Sequence, residues 1–400
     1  MSGRPALLGA SSLVVLALAL IGAQACTGGA AEPLTCVPTS EAATAAPVEA
    51  PEVALFWDDS GSMKRFYGKD GPYARIGNAM EATILPAANL FRFRHSYVAE
   101  TLVEAANYHA PAFDGNATDL LAVAERMAGV GSPDAPGVAV LLSDLLVVTP
   151  PAQRAVANAS ACGVPLPQEP RAPYHFAVCL ENAMKAYPAQ DLYASVVRLP
   201  HGAHAMYALV MGRAPDAAKA VVREIRNVSQ GSTELVLLDT TLRVGTASVG
   251  ACSWSGEDPV YMGSRVPGKV DACRFRYRGE PAGQALTCTL AASPQGALIQ
   301  LVPDRVLGGT SSAPVGEDGA YTVALPPTKG ALRLTVGNRF AAPTDAERDA
   351  AIDAFVHPPT EPPTELSEDE RHVKDVLRGL VRALAVRPAP DGAAWSVRYE

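Results

Sequence analysis

Apolar residues along this chain fall into two kinds of run. Val53-Ala-Leu-Phe-Trp57, Gly137-Val-Ala-Val-Leu-Leu142, Leu192 to Leu199 and Met206 to Met211 are short and almost continuous. Runs of that length predict strands buried on both faces. Between them the spacing changes to three and four residues. It does so around Ile76 to Leu90, over Asp119 to Ala128, near Phe176 to Tyr187, and after Pro215, where Ala218, Val221, Val222 and Ile225 share one helical face. A further strand is expected near Tyr97 to Glu100. Strands alternating with helices predict an α/β domain over residues 52–231, built on a doubly wound, mostly parallel sheet.

From residue 232 to 340 the runs shorten and are broken by Gly, Pro and Ser, as in Leu235 to Leu238, Ala320 to Leu325 and Leu332 to Val336. That pattern predicts a small β-rich domain. Residues 341–400 read as a helical tail with a final strand. Its two helices open on capping boxes, Thr344 with Glu347 and Ser367 with Glu370. In the second, Val373, Val376, Leu377, Leu380, Val381 and Leu384 line one face, which must pack on something.

The ends of the chain carry different information. Residues 1–25 have a single charge, Arg4, then an apolar run and the step Ala23-Gln24-Ala25 before Cys26. This is the layout of a secretory signal peptide. A cysteine at that point also resembles the lipidated residue of a bacterial lipoprotein, although Ala23 and Gln24 depart from the usual lipobox. Residues 26–51, rich in Ala, Thr and Pro, read as a disordered tether. The expected location is therefore the bacterial cell envelope, periplasm or surface, with Cys26 lipidated or the protein freely secreted. Contact with the membrane would be made only through that lipid.

A hydrophobic content of 48% excludes a mainly disordered chain, and the net charge of −8 argues against nucleic-acid binding. Setting Cys26 aside leaves Cys36, Cys162, Cys179, Cys252, Cys273 and Cys288, an even number that suits disulfides in an oxidising compartment. Cys162–Cys179 is the first expected pair, and a second is expected among Cys252, Cys273 and Cys288.

The residues that carry chemistry follow the first strand. Asp58, Ser60 and Ser62 form D-x-S-x-S in Asp58-Asp59-Ser60-Gly61-Ser62. Ligands of open α/β sheets sit at the C-terminal ends of strands. A carboxylate and two hydroxyls on alternate positions can converge there as hard oxygen donors for Mg²⁺, with Mn²⁺ and Ca²⁺ as alternatives. In this loop the chain resembles a von Willebrand factor type A domain with a metal-ion-dependent adhesion site. The family's later Thr and Asp are matched by Thr118, ahead of a helix, and Asp144, after the second buried strand.

The resemblance implies a Rossmann-like fold over residues 52–231 and a divalent cation held by Asp58, Ser60, Ser62, Thr118 and Asp144. It also implies an open position for an Asp or Glu carboxylate of a protein ligand. The family usually has Gly after the last Asp, where this chain has Leu145. The expected function is non-enzymatic, metal-dependent protein binding. Two alternatives use the same residues: a metal-assisted phosphoester hydrolase with Asp59 as base, and a metal-free structural envelope protein. Asp58 and Ser60 acting only as turn residues is the plainest account of the loop taken singly.

Other signals lack context. Gly263 to Lys269 fits the start of a phosphate loop, but Val270 stands where Ser or Thr must hold Mg²⁺, so no nucleotide is expected. His201 and His204 lack a third ligand for zinc. The sequons at Asn116, Asn158 and Asn227 are read as chance matches.

Overall fold

The computed structural model describes residues 52–68, 71–80, 88–95, 100–104, 123, 126–127, 129–130, 137–146, 191–227, 231–241, 249–254, 260–261, 272–276, 285–290, 296–308, 311–324, 330–357, 366–392 and 394–399. The signal-like segment 1–25, the tether 26–51, Thr118, Cys26, Cys36, Cys162, Cys179 and the helix expected near Phe176 to Tyr187 lie outside them.

The largest sheet among the described residues contains β1 (Glu52–Asp58), β2 (Ala88–His95), β3 (Glu100–Glu104), β4 (Gly137–Ser143), β5 (Tyr193–His201), β6 (His204–Gly212) and β7 (Thr233–Asp239). Their spatial order is β3-β2-β1-β4-β6-β5-β7. Strand β1 runs parallel to both β2 and β4. The pairs β2–β3, β4–β6, β5–β6 and β5–β7 are antiparallel.

This corrects the expected doubly wound, mostly parallel sheet: the sheet is mixed, and antiparallel pairs outnumber parallel ones. The physical reason lies at the β5–β6 connection. His201 and His204 face each other across a turn of Gly202 and Ala203, in which Gly202 takes φ +61°. A parallel crossover needs a dozen or more residues, so a two-residue link forces a hairpin. Burial on both faces produced the continuous apolar runs, and burial carries no information about strand direction. β6 and β7 do run parallel to each other, linked through the helix α2 (Pro215–Asn227), but β5 lies between them.

Period-two alternation divides the strand residues between two cores. Val53, Leu55 and Trp57 of β1 point to one side, with Val138, Val140 and Leu142 of β4. They meet Met63 and Phe66 of the 3-10 turn Gly61–Phe66, Tyr73 and Ile76 of α1 (Pro72–Met80), and Ala218, Val221, Val222 and Ile225 of α2. Ala54 and Phe56, with Ala139 and Leu141, point to the other side. There they meet Ile352, Phe355 and Val356 of α3 (Asp345–Val356) and the apolar face of α4 (Glu368–Ala385). The tail helices thus cover the second face of the first sheet. Both capping boxes are formed, each satisfying two backbone donors at its helix start. Val123 and Met127, within the helix expected over Asp119 to Ala128, are buried in this same core.

Strand β7, whose Leu235 to Leu238 belonged by pattern to the β-rich segment, is the edge strand of the first sheet. The chain at Leu298 and Ile299 bonds to the carbonyls of Val236 and Leu237, both at 2.9 Å, and so continues that edge.

The remaining strands among the described residues are β8 (Val249–Trp254), β9 (Val260–Tyr261), β10 (Ala272–Arg276), β11 (Ala285–Leu290), β12 (Gln300–Gly308), β13 (Ser311–Pro314), β14 (Ala320–Ala324), β15 (Gly330–Ala341) and β16 (Ala394–Tyr399). They form a six-stranded sheet, β13-β12-β15-β16-β10-β9, and a three-stranded one, β14-β11-β8. In the latter, the register sets Cys288 of β11 directly opposite Cys252 of β8, while Cys273 lies on β10 of the other sheet. Directly paired antiparallel positions fall within the Cα separation a disulfide spans. Peptide mapping of the oxidised protein is expected to recover a Cys252–Cys288 cross-link; a Cys273 cross-link to either would contradict this register.

Candidate metal centre

Because β1 and β4 are parallel neighbours in register, with Trp57 opposite Leu142, their C-terminal ends lie side by side. Asp58 closes β1 and Asp144 follows β4 directly. Both are buried, as are Asp59, Ser60 and Ser143. Asp59, the base in the hydrolase alternative, also lies inside the fold.

The loop after β1 is organised by Asp58. Its Oδ1 accepts from the Ser60 backbone N–H at 2.9 Å, an Asx-type turn that starts the 3-10 segment. The Ser60 carbonyl then accepts from Met63 at 3.1 Å, and Met63 and Phe66 anchor the turn in the core. This geometry leaves the hydroxyls of Ser60 and Ser62 3.1 Å apart. The other Asp58 oxygen, Oδ2, accepts from the Ser143 hydroxyl at 2.7 Å.

The loop after β4 is held in a less common way. Leu145 has φ +58°, in the left-handed region that usually needs glycine. It occupies the position where the resembled family has Gly, and its side chain is fully buried. The turn is fixed by the Leu145 N–H donating to Ser143 Oγ at 3.0 Å and the Leu146 N–H donating to Asp144 Oδ1 at 3.2 Å. Buried apolar contact compensates for the backbone strain, so a leucine can stand there.

Electrostatics at this edge are unfavourable for two bare carboxylates. Burial, and next the charge of Asp144, push the Asp58 carboxyl up to about 7, against the hydrogen bonds from Ser143 and Ser60. Asp144 has a counter-ion in Arg65, whose guanidinium donates to Asp144 Oδ2 at 3.1 Å.

Of the five residues expected to hold a cation, the fold brings four together at one sheet edge: Asp58, Ser60, Ser62 and Asp144. The fifth, Thr118, lies outside the described residues. Two buried carboxylates and two converging hydroxyls are hard oxygen donors, and they fit Mg²⁺, Mn²⁺ or Ca²⁺. No group of three or more His, Cys, Asp or Glu side chains able to hold a metal occurs among the described residues, so hydroxyls must complete any such set.

No family model, curated protein or solved structure matches this chain. The resemblance to the adhesion-type site therefore stands on the residues alone: the Asp58–Ser62 loop, Asp144, and their common strand-end placement.

Sequence reasoning missed two residues of this centre. Ser143 is a single polar residue ending an apolar run, which by itself signals nothing, although its hydroxyl bridges the β1 and β4 loops. Arg65 carried no signal, because a basic residue in a short polar turn is ordinary. His204, set aside as a zinc ligand, instead bonds through Nδ1 to Arg65 at 3.0 Å.

Proposed function

We propose that this is an exported, non-enzymatic binding protein that holds a divalent cation on Asp58, Ser60, Ser62, Asp144 and Thr118. Through that cation it captures an acidic side chain of a protein ligand. The observation that carries the reading is the convergence of Asp58 and Asp144, both buried, with the Ser60 and Ser62 hydroxyls at the ends of two parallel strands. Carboxylates removed from water need positive charge or hydrogen bonds to remain ionised. A bound divalent cation supplies that charge and a position for one further carboxylate oxygen.

The chain's own residues do the positioning. Ser143 and the Ser60 N–H fix both oxygens of Asp58, and the Leu146 N–H fixes one oxygen of Asp144. The protein is acidic overall, so an acidic ligand approaches against its field unless a cation bridges the two. Export follows from the N-terminal sequence, with Cys26 lipidated or the chain released after Ala25.

A fluorescent oligoglutamate peptide tests the reading by anisotropy. Binding is expected in Mg²⁺, with loss in EDTA and at least about tenfold weakening in Asp144→Asn. Binding that ignores the chelator would overturn it.

A further inference from the structure

Arg65 links the centre to a small cleft of about 140 Å³, lined among others by Arg65, Asp144, Arg198, His204, Tyr207 and Asp369. Its guanidinium donates to Asp144 Oδ2 at 3.1 Å and meets His204 Nδ1 at 3.0 Å. A second carboxylate, Asp369 in the first turn of α4, stands 3.9 Å from the same guanidinium and is half-exposed. Arg65 therefore has two acidic neighbours, one buried in the centre and one at the solvent edge, and at present it bonds the inner one.

We propose that Arg65 is an internal counter-ion that a divalent cation must displace from Asp144, and that Asp369 receives the displaced guanidinium. The inference rests on the cation reading above and adds how that site is controlled. An Asp144 oxygen engaged by a guanidinium is unavailable as a full cation ligand, and two positive charges on one carboxylate repel. A cation at the centre and the Arg65–Asp144 pair are therefore alternatives, and each weakens the other reciprocally. Arg65 follows the Ser60–Ser62 loop in the same 3-10 turn, so moving its side chain alone, with the turn anchored by Met63 and Phe66, exchanges one partner for the other. Asp369 sets the balance, because it stabilises only the displaced arrangement fully.

Calorimetric Mg²⁺ titration of the purified protein separates this exchange from general electrostatics. Arg65→Gln is expected to bind Mg²⁺ about tenfold more tightly, and Asp369→Asn about threefold more weakly. The exposed neighbours provide controls: Lys64→Gln and Glu368→Gln change the same charges without touching Asp144 or Arg65 and are expected to stay within about twofold. Arg65→Lys keeps the charge but not the planar fork, and it should tighten binding by less than Arg65→Gln. It also serves as the readable variant should Arg65→Gln melt early.

Effects no larger than in the two controls would overturn the exchange while leaving the cation site standing. Mg²⁺ binding by Arg65→Gln but not by the parent would support it, since Arg65 would then hold the site closed. Silence in both proteins would overturn the cation reading and the exchange with it.

Discussion

Asp58→Asn is expected to melt higher than the parent protein in chelator at pH 8, and to lose the stabilisation that Mg²⁺ gives the parent. In the unfolded chain Asp58 ionises near 3.8, whereas in the fold its carboxyl keeps a proton until about 7. The folded state therefore loses stability as pH rises through that window, and the loss is complete above it. Asparagine removes the charge and keeps a carbonyl for the Ser60 N–H, while its amide can donate to Ser143 Oγ. Allowing for that reorientation, the cation-free gain at pH 8 is about 2 kcal/mol, or a rise of ~5 °C in Tm. At pH 4 the two proteins should melt together. In Mg²⁺ the order reverses, because the cation stabilises only the protein that binds it. Melting curves at both pH values, with and without Mg²⁺, read all four conditions. A lower Tm for Asp58→Asn in chelator at pH 8 would show that the buried carboxylates do not repel as described.

The second large effect falls on Leu145. Replacing a buried leucine by alanine ordinarily costs roughly 3–5 kcal/mol, and glycine costs about 1 kcal/mol more through the entropy of the unfolded chain. Here the backbone at φ +58° penalises any residue with a Cβ by about 1–2 kcal/mol. Leu145→Gly is therefore expected to equal or exceed Leu145→Ala in stability, the reverse of the usual order, although both fall well below the parent. Chemical denaturation of the three proteins checks the ranking. An alanine variant more stable than the glycine variant by about 1 kcal/mol would mean that the turn relaxes out of the left-handed region. Asp144 is aimed by that turn, so the two predictions report on opposite sides of the same centre.

The strands were legible because their burial is one-dimensional information: Val53 to Trp57 and Gly137 to Leu142 are apolar throughout, and both lie under helices on two sides. Their directions were not legible from burial. The clue was present in the spacing, since the runs ending at Leu199 and starting at Met206 leave no room for a crossover, and Gly202-Ala203 turns the chain back. The helix starting at Pro215 was readable from its single apolar stripe, and so was the need of the Val373–Leu384 face for a partner. Which surface it covers depends on contacts across more than a hundred residues, such as those joining Phe355 and Leu377 to Phe56 and Leu209 in one core. No local pattern encodes that.

At the centre, Asp58, Ser60, Ser62 and Asp144 could be picked out because side chains at strand ends inherit their positions from the sheet. Parallel pairing of β1 with β4 is what brings them together, and that part of the sheet is parallel. Ser143 and Arg65 act through hydrogen bonds to those residues, at sequence separations of 85 and 79. Such partners are visible only once the strands are ordered. Leu145 shows the converse: the sequence marks it as a departure from the resembled family, and only the fold shows that it takes a left-handed backbone.

The most direct test of the central claim is calorimetric titration of Mg²⁺ into the purified protein beside Asp58→Asn. One binding site is expected in the parent and none in the variant, with the variant still folded by circular dichroism. Equal Mg²⁺ affinity in the two proteins would contradict it, because a cation indifferent to Asp58 is not held at this centre.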